Sequence, residues 1–133
     1  GDVPIVAPLR DSALGVVVRL LGSLEVQGAK FRVLQSLPYL EFGWLTAHAK
    51  GIITDSGNVA EEATFNGVPC ITLNDYTEHQ ETVTVGTNVL VGGDGEKLRT
   101  ALADMAGGRW KKCALPERWD GRTAERIASI LLA

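Results

Sequence analysis

The sequence predicts an α/β domain three layers deep, in which a parallel sheet of about five strands is covered by helices on both faces. Short aliphatic runs bounded by turn residues alternate along the chain with segments whose apolar residues recur at helical spacing. The runs are almost continuously apolar, which suits strands covered on both faces. A chain of 133 residues can bury one such core but has no room for a second lobe of similar size.

The first run is PIVAP at Pro4, followed by helical spacing from about Ser12 to Leu24. FRVLQ at Phe31 precedes a helix from Tyr39 to Ala49, and GIITD at Gly51 precedes one from Asn58 to Asn66. PCITL at Pro69 leads into a helix from Glu78 to Val85, and NVLVG at Asn88 into one from Glu96 to Ala106. Gly107, Gly108 and Pro116 mark a loop up to Gly121, after which a last helix runs from Arg122 to Leu132. Strictly alternating strands and helices imply right-handed crossovers and a doubly wound, Rossmann-like arrangement. One domain over residues 1–133 is expected.

Apolar residues make up 45% of the chain and charged residues 22%, with a formal net charge of -3, the balance of a globular protein. Lys and Arg form no block, so neither nucleic acid nor a membrane surface is an expected partner. No apolar run approaches the roughly 20 residues that span a bilayer, and no secretory pattern opens the chain, so a cytoplasmic location is expected. Cys70 and Cys113 are the two cysteines. They make no disulfide framework and lack the paired spacing of a zinc site, so no metal and no cofactor are expected. Cys70, within PCITL, reads as a small buried hydrophobe. Cys113 follows Lys111 and Lys112 in a loop and reads as an incidental exposed thiol.

The segment TDSGNVAEEA, from Thr54 to Ala63, carries the most chemistry. A strand that ends in a small-residue turn and enters a helix leaves backbone N–H groups unpaired along the helix dipole, which makes an anion site. Ser56 adds a hydroxyl, and Gly57 lets a backbone approach a phosphate with no Cβ in the way. Spacing alone leaves a second reading open. Asp55, Ser56 or Asn58 could simply cap the helix, and Asn58 with Glu61 has the spacing of a capping box. Glu61 and Glu62 near a helix N-terminus are likewise stabilising without any ligand. Ligands of open α/β sheets do bind beyond the carboxyl ends of strands, and this turn is such an end. His48 and His79 read as solvated or capping residues, and Phe42 and Trp44, by spacing, as core.

The string YLEFGWLTAHAKGIITDSGNVAEEATFNGVPCITL, continued by NDYTEHQETVTVGTNVLVG and later WDGRTAERI, resembles the C-terminal domain of non-hydrolysing UDP-N-acetylglucosamine 2-epimerases. The resemblance runs from Pro38 to the end, about seven tenths of the chain. It implies half of a GT-B fold and a UDP or UDP-sugar ligand. Ser56 and Gly57 would hold the diphosphate beside the N–H of Asn58, Glu62 would bind the ribose hydroxyls, and Phe42 would lie near the uracil. Thr77, Glu78 and His79 are the further candidates.

The chain departs from the family's pattern at several positions. Asn58 stands where the family has a second glycine, Ala60 where it has a glutamine, and Asn74 and His79 where it has arginines. A histidine restores such charge only when protonated, which for imidazole generally means near or below about pH 6.5. The resemblance also implies that an N-terminal catalytic lobe and the first strand–helix unit of the C-terminal domain have no counterpart here. The expected function is therefore the UDP-sugar-binding half of a 2-epimerase, inactive alone, working with a separate N-terminal lobe or as a homodimer. The alternatives are the nucleotide half of a GT-B glycosyltransferase and a non-catalytic interaction domain. With the central strand lacking, either a second chain fills the space or PIVAP pairs directly with GIITD, which would give strand order 2-1-3-4-5.

Overall fold

The computed structural model describes residues 3–23 and 31–133. They form two compact units, Gly1–Gly43 and Trp44–Ala133. In the first, strand β1 (Ile5–Leu9), helix α1 (Asp11–Ser23) and strand β2 (Phe31–Gln35) make a right-sized crossover unit, with β1 and β2 parallel and Ile5 paired to Phe31 through Leu9 to Gln35. No residue described here is fully buried, and Ile5 is 56% exposed. Helix α2 spans Tyr39–Ala47. The helix expected to reach Leu24 ends at Ser23, and Leu24 itself lies outside the described residues.

The second unit contains β3 (Ile52–Thr54), α3 (Gly57–Asn66), β4 (Cys70–Thr72), α4 (Gln80–Thr84), β5 (Asn88–Leu90), α5 (Gly95–Ala106) and α6 (Thr123–Leu131). Its three strands are parallel in the order β3-β4-β5. Successive strand side chains point to opposite faces, and β4 shows how both faces are used. Cys70 packs with Ile52, Ala60, Ala63 and Val68 beneath α3, whereas Ile71 packs with Val91 and Ala101 beneath α5. This is the layered α/β arrangement that near-continuous apolar strands require. Burial raises the Cys70 thiol to about 11, despite the hydrogen bond with Thr72, so it behaves as the small hydrophobe expected. Cys113 is exposed, as expected.

Among the described residues there are five strands, all parallel, in two sheets, β1-β2 and β3-β4-β5. The order 2-1-3-4-5 would need a ladder between β1 and β3, and none is among the described ladders. Helix α4 is shorter than the expected Glu78 to Val85. The Thr77 hydroxyl accepts from the N–H of His79 at 3.1 Å, and the Gln80 amide donates to the Thr77 carbonyl at 2.6 Å, so a side-chain-closed turn occupies the first residues.

Polar groups close the core between β4, β5 and α4. Thr72 Oγ1 donates to Asn88 Oδ1 at 2.6 Å, Asn88 Nδ2 donates to Thr82 Oγ1 at 3.2 Å, and Thr82 Oγ1 donates to the His79 carbonyl at 2.7 Å. Asn88 and Thr82 have no exposed surface. Buried polar groups in such a chain are satisfied only together. Further on, the Asp120 carboxylate accepts from the Arg122 N–H and both outer nitrogens of Arg126, and the Arg126 guanidinium holds it at about 2. No helix among the described residues is long and apolar enough to cross a membrane.

Asn88→Leu strands the buried Thr72 hydroxyl and should lower the unfolding free energy by about 2 kcal/mol or more in urea denaturation. A change below about 0.5 kcal/mol, typical of an inconsequential surface substitution, would show that the chain of hydrogen bonds does not stabilise the unit.

Candidate functional site

The entrance of α3 sits at the carboxyl end of β3, and the residues around it explain its shape. Ser56 is the N-cap, in extended backbone conformation at φ -100 and ψ 124, and its side chain makes no capping hydrogen bond. The cap therefore falls on Ser56, and Asn58 lies inside the first turn. Glu61 does not complete a capping box with Asn58. It contacts His79 instead, Oε1 to Nδ1 at 2.9 Å. The first N–H groups of a helix have no partner within it, and here no side-chain cap takes their place. The Thr54 hydroxyl, two residues before, accepts from the Ser56 N–H at 3.1 Å and fixes the turn.

A second loop closes over this entrance. Asn74 Nδ2 donates to the Asp55 carbonyl at 2.9 Å, and the Leu73 N–H donates to the Thr54 carbonyl at 2.8 Å. Those bonds tie the segment after β4 to the turn after β3. His79, at the end of that segment, lies directly beside Gly57: a Cβ on Gly57 would meet His79 Cδ2 at 3.1 Å and Nε2 at 3.4 Å. The missing side chain at Gly57 is thus the space the imidazole ring uses.

Ser56 and Glu62 are both half-buried, and among the described residues neither the Ser56 hydroxyl nor the Glu62 carboxylate has a hydrogen-bond or ion-pair partner. Gly57 is half-buried and Asn58 exposed, on the same turn. Thr77 is buried and serves the backbone of His79, while Glu78 is exposed. The structure therefore places Ser56, Gly57, Asn58 and Glu62 on the first turns of α3, with His79 beside Gly57. Phe42 is half-buried in α2, within the first compact unit.

Trp44 was expected in the core but is 64% exposed, its ring stacked on His48 with centroids 4.3 Å apart. His48 Nδ1 lies 2.7 Å from the Trp44 carbonyl, so this histidine caps the end of α2 as expected. The Glu61–His79 and Asn74–Asp55 contacts were missed by sequence reading because each joins residues about 18 apart, beyond any local periodicity. Elsewhere, a cavity of about 410 Å³ lies beside β5 and α5, lined by Val89, Val91, Thr100, Arg109 and Trp110 among others. It includes none of the candidate residues.

The electrostatics of this region are one-sided. From Gly51 to Glu96 the sequence has no Lys or Arg and eight acidic residues: Asp55, Glu61, Glu62, Asp75, Glu78, Glu81, Asp94 and Glu96. Within this stretch the backbone N–H groups and the dipole of α3 are the elements that favour an anion at the entrance.

The family model described as UDP-N-acetylglucosamine 2-epimerase matches residues 1–132. The UDP-N-acetylglucosamine 2-epimerase of Methanocaldococcus jannaschii is 45% identical over 104 residues, covering 77% of this chain and 27% of that protein. The UDP-2,3-diacetamido-2,3-dideoxy-D-glucuronate 2-epimerase of Pseudomonas aeruginosa is 47% identical over 103 residues, covering 74% of this chain and 28% of that one. Among solved structures, that of the M. jannaschii epimerase in complex with UDP-GlcNAc and UDP superposes with a TM-score of 0.77 at 38% identity, over 98% of this chain and 36% of its own. The chain thus spans about a quarter to a third of the length of these relatives.

Gly57→Ala adds a methyl group at the His79 ring. The expected outcome is a folded protein, since alanine favours a helix over glycine by up to about 1 kcal/mol, with His79 ring resonances displaced in the NMR spectrum. Unchanged ring resonances would show that the imidazole does not occupy this position in solution.

Proposed function

Because the chain belongs to the UDP-N-acetylglucosamine 2-epimerase family, we propose that the entrance of α3 holds the diphosphate of UDP or a UDP-sugar, as part of a 2-epimerase. The observation that carries this reading is the pair of partnerless, half-buried polar groups on one helix entrance, Ser56 Oγ and the Glu62 carboxylate. A helix that needed only a cap would use the Ser56 hydroxyl on its own N–H groups. In this reading the N–H groups of Gly57 and Asn58 and the Ser56 hydroxyl donate to phosphate oxygens, and Glu62 accepts from the ribose hydroxyls. The glycosyltransferase alternative lapses with the family assignment.

In such a reaction UDP leaves the sugar by elimination and adds back with inversion at C2. Donors that hold the leaving diphosphate stabilise the charge that builds on it. Proton transfer at C2 needs an acid and a base placed over the sugar ring, each worth typically 10²–10⁴-fold. We assign to this chain the UDP-holding role and to a separate lobe, or a second copy, the groups over the sugar. The two relatives act on differently substituted sugars. The nucleotide is accordingly the part of the substrate that the α3 entrance reads.

Calorimetric titration with UDP tests the site. Glu62→Gln removes a charged acceptor worth about 1.5–3 kcal/mol, so UDP affinity should fall about tenfold or more while the circular dichroism spectrum is retained. Ser56→Ala should weaken UDP but leave uridine, which has no phosphate, unchanged. Equal UDP affinity for Glu62→Gln and the parent chain would remove the nucleotide site from this turn. A second expectation is that the 133-residue chain alone forms no UDP-N-acetylmannosamine from UDP-N-acetylglucosamine. Product that rises in proportion to added chain, free of host epimerase, would show that the acid and base lie within it.

A further inference from the structure

Beside the α3 entrance, three metal-binding side chains converge from two elements. Glu61 projects from α3, His79 is the N-cap of α4 and Glu81 lies in its first turn. Their donor atoms all lie within 4.8 Å of one another, and His79 Nδ1 is 2.9 Å from Glu61 Oε1. We propose that Glu61, His79 and Glu81 form a binding site for a divalent first-row transition cation of the Zn²⁺ or Mn²⁺ class. The site goes beyond the nucleotide reading and does not depend on it.

Geometry supports a cation here. Metal–ligand distances of about 2.0–2.2 Å place neighbouring donors about 3–3.5 Å apart. The Glu61–His79 separation is already close to this, and the Glu81 carboxylate, within 4.8 Å of both, can come into range by side-chain rotation. One nitrogen and two carboxylates is a donor set that suits Zn²⁺ and Mn²⁺, whereas Mg²⁺ prefers oxygen and its own water. All three side chains are half-buried, so the remaining coordination positions open to solvent. An ion can enter, and the site keeps places for water or an anionic ligand.

Charge and rigidity support it as well. Among the described residues no Lys or Arg pairs with Glu61 or Glu81, in a stretch that lacks both residue types from Gly51 to Glu96. A cation between the two carboxylates removes their mutual repulsion. The ligand that selects a transition ion is also held in place. The His79 N–H donates to Thr77 Oγ1 at 3.1 Å, and the His79 carbonyl accepts from Thr82 Oγ1 at 2.7 Å and from the Thr82 N–H at 3.0 Å. A ligand backbone fixed in this way lowers the ordering cost of binding. A simple histidine–glutamate hydrogen bond would account for Glu61 and His79 but would leave Glu81 without a role.

The test is a calorimetric titration of the 133-residue chain with Zn²⁺, Mn²⁺ or Mg²⁺, without nucleotide, in a Cys113→Ser background that removes the exposed thiol as a competing ligand. One Zn²⁺ is expected to bind at micromolar concentration, with Mg²⁺ far weaker, and Glu81→Gln and Glu61→Gln should each weaken Zn²⁺ by about tenfold or more. Mn²⁺ should broaden the amide resonances of Glu61, His79 and Glu81 in the parent chain first, a readout that needs no variant to fold. No saturable Zn²⁺ binding below about 1 mM, Zn²⁺ affinity unchanged in Glu81→Gln, or Mn²⁺ broadening centred elsewhere would overturn the proposal. A parallel UDP titration in EDTA keeps the two failures apart, since loss of metal binding with UDP binding intact bears on this site alone.

Discussion

The arrangement around the α3 entrance depends on the hydrogen-bond chain from Thr72 through Asn88 and Thr82 to the carbonyl of His79. Each group in it is buried or backbone, so each link is needed to offset the cost of withdrawing its neighbours from water. Its effect is positional. It pins the start of α4 to β4 and β5, so His79 arrives beside Gly57 and Glu61 with its backbone already fixed. Asn74, bonded to the Asp55 carbonyl, secures the other end of the same segment. Two loops that are far apart in sequence thereby become one surface at the carboxyl ends of β3 and β4.

That surface combines an anion-binding backbone with acidic side chains. The α3 dipole and its open N–H groups favour negative charge, worth roughly 0.3–1 kcal/mol near an exposed terminus. Eight acidic residues from Gly51 to Glu96, with no Lys or Arg among them, oppose it. Direct donors to phosphate, in which each bond is local and geometric, can overcome such a background. Affinity at this entrance should thus come from hydrogen bonds to Ser56, Gly57 and Asn58.

Much of the fold was legible because strands covered on both faces leave a strong apolar signature. All five runs became strands, and the six helices began and ended within a few residues of their expected limits. One exception has a local cause. Thr77 closes a side-chain turn that delays α4 until Gln80. Within the site, the placement of Ser56, Gly57 and Asn58 at a helix entrance followed from the strand–turn–helix pattern, and Ser56 is the N-cap without a side-chain capping bond. The contacts of Glu61 with His79 and Glu81 were not legible. They arise where α3 and α4 meet across the sheet edge, and neither charge pattern nor spacing along one helix encodes that meeting. The absence of paired cysteine spacing had pointed away from any metal, which addresses only thiolate sites.

The most direct measurement of the central claim is a titration of the isotopically labelled chain with UDP, followed by amide chemical shifts. If the α3 entrance holds the diphosphate, the N–H resonances of Gly57, Asn58 and Val59 should move first and furthest, because these are the groups that gain charged acceptors. Saturating UDP that leaves those three amides in place, or that shifts instead the residues around Arg109 and Trp110 beside β5 and α5, would contradict the account.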